Sequence, residues 1–600
     1  MNTETLAAKD APRAAHGHAN WHGLIPFGVV LLAALLLPLS GNDYWALIAT
    51  RFAIYWVLVA GLNLIVGYAG QLAIGYVALL TLGAYTTSVL AAGKLMSPWP
   101  VWAALAAAGG IGALFGVVVG LPALRLRTFY FAMTTLGFAT IVTQIALAWQ
   151  SVTGGGVGIA GPEMPAPFNS AWGFYYLCML FAVIGTLITA NVARSRFGRA
   201  LIALRDAEVA AEAVGISKPW LLVKVFLLAG TMAAVAGGLF ASLQTYITPD
   251  AFTFDLSLLF FISILIGGRG SILGPLLGTL LLTILPEIAA PLAAWATFLY
   301  AVLLLLIVLL MPGGIAALLD WRNRKPLASA RAIVPRPAAL AELYGAEART
   351  RALKVEGAAL AFGGLRALDG VDLEVAAGQV HGLIGPNGSG KTTMLNVISG
   401  YYRPQAGGVS LGDAALPGNV PTCRALHGVA RTFQTPRLVG EASVLQNVMM
   451  GGTVSGRAGF IEAMLCLPRQ LRDEREMTQR ALSALRVVGL EDLAHARADR
   501  LQHSELRFIE IARALMLKPC LLLLDEPAAG LSPEEILRLG ALIKAISAQG
   551  TGVLLVEHHA DLIFDICDHV TVLNLGRVLA HGTPAEIRVH QEVVSAYLGA

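Results

Sequence analysis

Three short stretches of this sequence have residue types and spacings that can do chemistry together. In Gly385-Pro386-Asn387-Gly388-Ser389-Gly390-Lys391-Thr392-Thr393 the glycines let successive backbone N–H groups turn inward around phosphate oxygens. Lys391 can reach the β/γ-phosphates and the Thr392 hydroxyl can hold Mg²⁺, so the stretch is a complete P-loop and points to ATP. Downstream, Leu521 to Leu524 followed by Asp525-Glu526-Pro527 reads as a buried strand ending in two acids. Asp525 is placed there to hold Mg²⁺ and Glu526 to polarise an attacking water. His558 follows the apolar run Val553 to Val556 and can contact the γ-phosphate, whereas its neighbour His559 reads as solvated. The plainer alternatives are a Gly-rich turn with a surface lysine and two acids opening a helix at Pro527. Neither explains why all three stretches occur in one segment.

These residues need a scaffold. The apolar run Val380 to Ile384 before the loop and the helix-like Met394 to Ile398 after it give a strand–loop–helix unit, with a helix starting near Lys391 whose positive end faces the phosphates. From Leu353 onward, short Val/Leu runs, Gly-rich turns and helices of ordinary charge describe a soluble α/β domain over residues 351–600, long enough for its own core. Residues 321–350 mix Arg and Ala with Pro326, Pro335 and Pro337 and read as a linker.

The rest of the chain is of another kind. With 600 residues, 56% hydrophobic and only 13% charged, part of the protein belongs in lipid. No charged residue occurs between Arg51 and Lys94, or in 95–124, 128–162, 164–193 and 288–319. A central Lys or Asp would cost about 2.5–3.5 kcal/mol on insertion, so the spacing predicts a membrane domain over 25–320. Its expected spans lie near 25–40, 46–66, 72–92, 99–121, 129–150, 172–192, 225–246, 257–267, 272–288 and 296–312, eight to ten in all. The 257–267 stretch is short for a crossing, which leaves Gly267-Gly268-Arg269-Gly270 as either a re-entrant or a tight cytoplasmic turn. The loop 194–224 carries Arg194, Arg196, Arg199, Arg205, Lys218 and Lys224, while the loop 151–171 has no Lys or Arg, so the first is expected inside and the second outside. The polar segment 1–24 lacks a cleavage-site pattern and reads as a cytoplasmic tail. A net charge of +4 without clustering argues against nucleic acid as a partner. Cysteines at 178, 423, 466, 520 and 567 have no metal-type or paired spacing.

Within 194–224 the pattern changes. Phe197 to Gly215 reads as one amphipathic helix, with Leu201, Leu204, Ala211 and Val214 on one side and Gly215 and Pro219 as stop signals. A helix lying on the lipid surface is the alternative, and the even mix of acids and bases argues against it. The segment resembles the coupling loop of bacterial ABC importer permeases, where Glu-Ala-Ala is followed three residues later by Gly. Ala210, Ala211 and Gly215 stand in that register, but Val209 replaces the usual Glu, with acids at 208 and 212. The segments GLNLIVGYAGQLAIGYVALLTLGAYT, LRTFYFAMTTLGFATIV, RSRFGRALIALRDAEVAAEAVGI and IGGRGSILGPLLGTLLLTILPE resemble one permease of the branched-chain amino acid ABC importers over most of 50–290. That family also carries urea, short amides and some aromatic acids.

The soluble half resembles an ABC ATPase over nearly all of 353–600, and Ala596-Tyr597-Leu598-Gly599 resembles the end of the ATPase partner of the same importers. The resemblance implies a permease fused to its ATP-binding subunit. It implies roles for Gln434, in Arg431-Thr432-Phe433-Gln434, as a Mg²⁺ ligand that senses the membrane domain, and for Phe362 as a stacking partner of adenine, a core position being the alternative. It also implies a second permease, a second ATPase, an external substrate-binding protein, surrounding membrane lipid and a bacterial inner membrane. One departure stands out. Where the family carries Leu-Ser-x-Gly-Gln, this chain reads Leu501-Gln502-His503-Ser504-Glu505. Gln502 is larger than Ser, Ser504 adds a Cβ where backbone must approach closely, and Glu505 brings negative charge towards phosphate. The expectation is a degenerate signature and a dependence on a partner ATPase; the alternative is an ordinary variant in which Ser504 caps the helix. A homodimeric exporter and a membrane-anchored ATPase without transport are the rival readings of the whole chain.

Overall fold

Leu521 to Leu524 are all fully buried, and the strand they form lies inside a six-stranded sheet. Burying side chains of this size contributes about 1.5–3 kcal/mol each, and a continuous apolar run is what a strand covered on both faces requires. The structure is a computed structural model whose described residues are 41–289, 333–345 and 350–595, except Met96 and Arg127, with scattered positions at 28 and between 290 and 316. Nearly all of the expected span at 25–40, about half of that at 296–312, the N-terminal tail, most of the linker and the 596–599 end lie outside the described residues.

The strands of the C-terminal part are β1 (Leu353–Phe362), β2 (Leu365–Val375), β3 (Val380–Ile384), β4 (Ala406–Leu411), β5 (Ala414–Ala415), β6 (Val429–Arg431), β7 (Leu521–Asp525), β8 (Gly552–Val556), β9 (His569–Asn574) and β10 (Arg577–Gly582). They form two sheets. One is antiparallel, in the order β2-β1-β4-β5; the other runs β10-β9-β3-β8-β7-β6, parallel except for its β9–β10 edge. The register pairs Val556 with both Leu383 and Asp525. The ends of β3, β7 and β8, after which the P-loop, the two acids and His558 follow, therefore lie side by side. This is where an open parallel sheet binds its ligand.

In the N-terminal part, seven helices are long and apolar enough to cross a membrane among the described residues: Asp43–Tyr68, Ile74–Ala91, Val101–Leu124, Thr128–Ala148, Ala171–Arg194, Lys218–Leu243 and Pro249–Gly267. A shorter apolar helix covers Gly274–Glu287. The stretch expected to be too short for a crossing is thus 19 residues long, because the turn Pro249–Ala251 and Phe254 to Leu256 extend it at the start. Gly268 and Gly270, at φ +111° and +73°, turn the chain between this helix and the next. Close helix contacts rest on small residues: a Cβ on Gly83 would lie 2.0 Å from the Ala234 carbonyl oxygen, and one on Gly112 2.3 Å from that of Gly230. In lipid, such backbone approach replaces the hydrophobic effect as the source of packing energy.

The described residues form two compact units: one within 41–67, 71–187 and 226–316, the other within 68–70, 188–225 and 333–595. Residues 188–225, which run from the end of the Ala171–Arg194 helix into the start of Lys218–Leu243, thus belong to the unit that holds the two sheets.

Candidate nucleotide site and coupling surface

The P-loop turns on three left-handed glycine conformations. Gly385, Gly388 and Gly390 have φ of +151°, +81° and +106°. A Cβ on Gly385 would lie 2.1 Å from the Leu573 carbonyl oxygen, whereas one on Gly388 would meet nothing within 4 Å. The first glycine is needed for packing against β9; the second lines open space. The helix Lys391–Ile398 begins at the loop's end. Lys391 is buried, and its ammonium donates to the carbonyls of Gly385 at 2.7 Å and Pro386 at 3.0 Å. Burial pulls the Lys391 pKa down, against the carboxylates of Glu526 and Asp525. The Ser389 hydroxyl is buried without a hydrogen-bond partner, while Thr392 is exposed at the helix start. A cationic ammonium, an open glycine turn and the first N–H groups of a helix suit a phosphate chain.

Three of the predicted residues meet at one carboxylate. Gln434 Nε2 donates to Glu526 Oε2 at 2.7 Å, and His558 Nε2 lies 3.0 Å from Glu526 Oε1. Glu526 itself sits at φ +47°, a conformation costly for a side chain with a Cβ. Its N–H donates to Val556 O at 2.8 Å, which helps hold it there. Asp525 is buried, and Arg431 Nη2 donates to its Oδ2 at 3.0 Å. Burial pushes the Asp525 pKa up, and the Arg431 guanidinium opposes that. The oxygens of Thr392, Gln434 and Asp525 are hard donors of the kind that Mg²⁺ takes. Phe362 ends β1 half exposed, its ring edge-on to Tyr402 at 5.2 Å, rather than in a core. His559 is exposed, as expected.

Sequence reasoning missed several residues that build this site. Glu557 is 1% exposed, and its carboxylate accepts from the N–H groups of Ala528 at 2.6 Å and His558 at 2.9 Å. It ties the turn after the acids to the turn that carries His558. Arg507 Nη1 donates to Phe433 O at 2.8 Å, fixing the residue before Gln434. Arg431 was legible only as part of a motif. For Glu557 and Arg431 the signal is a charged residue next to or inside an apolar strand; for Arg507 it is a charged residue on the buried side of a helix.

The signature segment is a helix start. Leu501 and Gln502 precede the helix His503–Leu515 in extended conformation, and the Gln502 N–H donates to Glu505 Oε2 at 2.9 Å. Ser504 lies inside the first turn and is buried. The alternative in which Ser504 caps this helix is therefore corrected: Gln502 holds the cap position. His503 and Gln502 are exposed.

The segment 196–213 is not one helix, as expected from its pattern, but two. Arg196–Asp206 and Glu208–Ala213 are separated at Ala207, whose φ and ψ are −148° and 61°. The break lets both pieces bury their apolar sides. Ala207, Ala210 and Ala213 pack with Phe433 in one cluster, and Tyr401 donates to Val209 O at 2.6 Å. Ala211 is 2% exposed. Gly215, at φ +84°, turns the chain where a Cβ would lie 2.8 Å from Val454 Cγ1. On the first piece, Arg199 pairs with Glu474, Arg196 donates to Thr453 O at 2.9 Å, and Phe197 meets Phe460 edge-on. The coupling register thus sits one residue from Gln434.

Residues 44–311 match the family model of the permease component of branched-chain amino acid transport systems, 368–529 that of the ABC transporter, and 577–600 that of the branched-chain amino acid ATP-binding cassette transporter. The high-affinity branched-chain amino acid transport ATP-binding protein BraF of Pseudomonas aeruginosa is 41% identical over 248 residues, which are 41% of this chain and 97% of that protein. The chain belongs to the branched-chain amino acid ABC transporters. LivG of Escherichia coli is 40% identical over 248 residues, again 41% of this transporter chain and 97% of that protein. The probable LivG of Methanocaldococcus jannaschii is 32% identical over 251 residues, 97% of its length. Among solved structures, a nucleotide-free ATP-binding cassette from an ABC transporter is 31% identical and covers 42% of this chain and 100% of that one, with a TM-score of 0.37. The transporter chain joins, in one polypeptide, a permease and an ATP-hydrolysing cassette that couples hydrolysis to transport. It is a membrane protein whose cassette is cytoplasmic.

Proposed function

We propose that this chain is the permease and ATPase subunit of an importer of branched-chain amino acids in a bacterial inner membrane, working with a second permease, a second ATPase and an external substrate-binding protein. The observation that carries the reading is the seat of the Glu208–Ala213 helix on Phe433, next to the glutamine that bonds Glu526. It gives a cassette a direct mechanical input from a permease loop. The P-loop residues 385–393 hold the nucleotide phosphates and Phe362 stacks on the base. Thr392, Gln434 and Asp525 hold Mg²⁺, which supplies neutralising charge at the transferring phosphate. Glu526 orients and accepts a proton from the attacking water, and His558, bonded to the same carboxylate, holds it facing the γ-phosphate. Ala210, Ala211 and Gly215 form the coupling seat. The spans carry few ionisable groups, which suits a zwitterionic or neutral solute. The test is ATP-driven uptake of labelled leucine by proteoliposomes of the full complex, with urea and benzoate as competitors. Uptake that leucine, isoleucine and valine suppress supports the reading; suppression by urea or benzoate alone transfers the same machine to another cargo, and absence of ATP-dependent uptake rejects it.

A specific observation favours a second feature, an asymmetric ATPase pair. The Glu505 carboxylate already occupies the start of the 503–515 helix, where it accepts from the Gln502 N–H. A carboxylate at a helix N-terminus removes the attraction for another anion there. This chain's signature (Leu501, Gln502, His503, Ser504 and Glu505) is then degenerate, and the partner ATPase supplies the signature that completes the site at 385–393. Assembled complexes carrying Glu526→Gln in this chain are expected to lose nearly all ATPase turnover; turnover close to wild type would reject the asymmetry.

A further inference from the structure

Between the coupling seat and Asp525 stands a single guanidinium. Arg431 closes β6 with its side chain 5% exposed. Nη1 donates to Asn396 Oδ1 at 2.6 Å and Ser399 Oγ at 2.9 Å, both at the end of the helix that follows the P-loop; Nη2 donates to Asp525 Oδ2 at 3.0 Å. The guanidinium carbon lies over two rings, 5.2 Å from the centre of Phe433 and 5.8 Å from that of Tyr401. Each ring also meets the segment 207–213: Phe433 clusters with Ala207, Ala210 and Ala213, and the Tyr401 hydroxyl donates to Val209 O. The backbone around Arg431 is fixed, since Thr432 N–H donates to Leu523 O at 2.9 Å and β6 pairs with β7 in parallel. A shift of the coupling helix therefore reaches the guanidinium through the rings rather than through the sheet.

We propose that Arg431 is a positioning residue that links the seat of the coupling helix to Asp525, through Tyr401 and Phe433, as a branch separate from Gln434. This rests on the reading of Asp525 as a Mg²⁺ ligand and of 208–213 as the coupling helix. The charge of Arg431 orients the acid, and the two rings set where that charge lies. An Arg can do both, because its planar fork bonds three oxygens while its cationic carbon lies over two rings; a Lys at this position keeps the charge and loses the fork.

The test uses the full complex in proteoliposomes with leucine-loaded binding protein, and reads three quantities: the ratio of stimulated to basal ATPase, the Kd for the fluorescent analogue TNP-ATP without Mg²⁺, and the hydrogen exchange of amides 207–213 with and without ATP. Tyr401→Phe removes only the bond to Val209 O. It is expected to lower the stimulation ratio about fivefold, the equivalent of one neutral hydrogen bond, with TNP-ATP affinity and melting temperature unchanged and the ATP-induced change in exchange at 207–213 reduced. Arg431→Lys is expected to lower the ratio at least as far, and Tyr401→Phe combined with Arg431→Lys to do no more than Arg431→Lys alone, because both act on one link. An unchanged ratio in Tyr401→Phe, or effects that multiply in the double variant, would overturn the proposal. A wild-type complex without ATPase or uptake would instead reject the functional reading on which it rests.

Discussion

Gln434 Nε2 donates to Glu526 Oε2 at 2.7 Å, so the loop after β6 and the acid after β7 share one hydrogen bond. A bond to a charged group contributes about 1.5–3 kcal/mol. Gln434→Ala leaves Glu526 with His558 alone and frees it to rotate. We expect a fall in stimulated ATPase kcat of about 10- to 100-fold, corresponding to that energy, while ATP still binds. Phosphate release and equilibrium nucleotide binding on the same preparation check this; loss of binding in parallel with kcat would show that Gln434 acts on the fold of the site instead.

Two P-loop glycines are expected to respond differently to alanine. At Gly388 (φ +81°) the added methyl meets nothing within 4 Å, so the cost is the left-handed conformation alone, about 1–2 kcal/mol. For a domain of this size that is a fall in melting temperature of about 2–8 °C. At Gly385 (φ +151°) the methyl would lie 2.1 Å from Leu573 O, and either β9 or the loop must move. Gly385→Ala is expected to melt well below Gly388→Ala and to lose ATP binding under conditions where Gly388→Ala retains it. Equal melting temperatures would contradict this account of the loop.

The sequence made the parallel sheet and the ligand end legible because each chemical residue follows an apolar run: Lys391 after β3, Asp525 and Glu526 at the end of β7, His558 after β8. Strand order puts those ends side by side, so the convergence on Glu526 needed no further information. The break at Ala207 was not legible. Its periodicity suits one helix, and only the need to fit Ala210 and Ala213 against Phe433 while Leu201 and Leu204 bury elsewhere bends it. Tertiary packing overrides local pattern in that case. Arg431 and Glu557 were hidden for a different reason. Their roles come from partners 32 to 94 residues away for Arg431 and 29 residues away for Glu557, and spacing along the chain does not report those contacts.

Arg199 and Glu474 offer a test of how the 453–480 region grips the coupling segment. The Arg199 side chain is 7% exposed, paired with Glu474 and 3.5 Å from Met477 Sδ; Glu474 is 26% exposed. Solvent reaches the carboxylate, so the pair is expected to contribute about 1 kcal/mol, nearer an exposed pair than a buried one. Arg199→Met should lower leucine uptake per ATP hydrolysed by about fivefold, equivalent to that energy, with basal ATPase preserved. Glu474→Gln should do less, and the double variant should match Arg199→Met. Uptake and hydrolysis measured on one batch of proteoliposomes decide it; an unchanged ratio in Arg199→Met would remove this pair from the coupling path.

His381 makes stability depend on acid. It stands on β3, 1% exposed, with Nε2 2.8 Å from Thr571 Oγ1, and its ring stacks on that of His581. Burial pushes the imidazole down to about 3, with further repulsion from His581 and His569. A histidine held neutral in the fold contributes stability that is fully present above its unfolded pKa of about 6.5. That stability is lost as pH falls from there towards the folded value, at about 1.4 kcal/mol per pH unit. By pH 5.5 the loss is about 1.4 kcal/mol, or about 3–6 °C in the melting temperature of a domain of this size. His381→Gln removes the titration. It is expected to lower stability at pH 7.5, where the native contact with Thr571 is lost or weakened, yet to flatten the decline between pH 7.5 and 5.5 relative to wild type. Thermal melts of both proteins across that range give the difference directly, and parallel curves would show that another group carries the acid sensitivity.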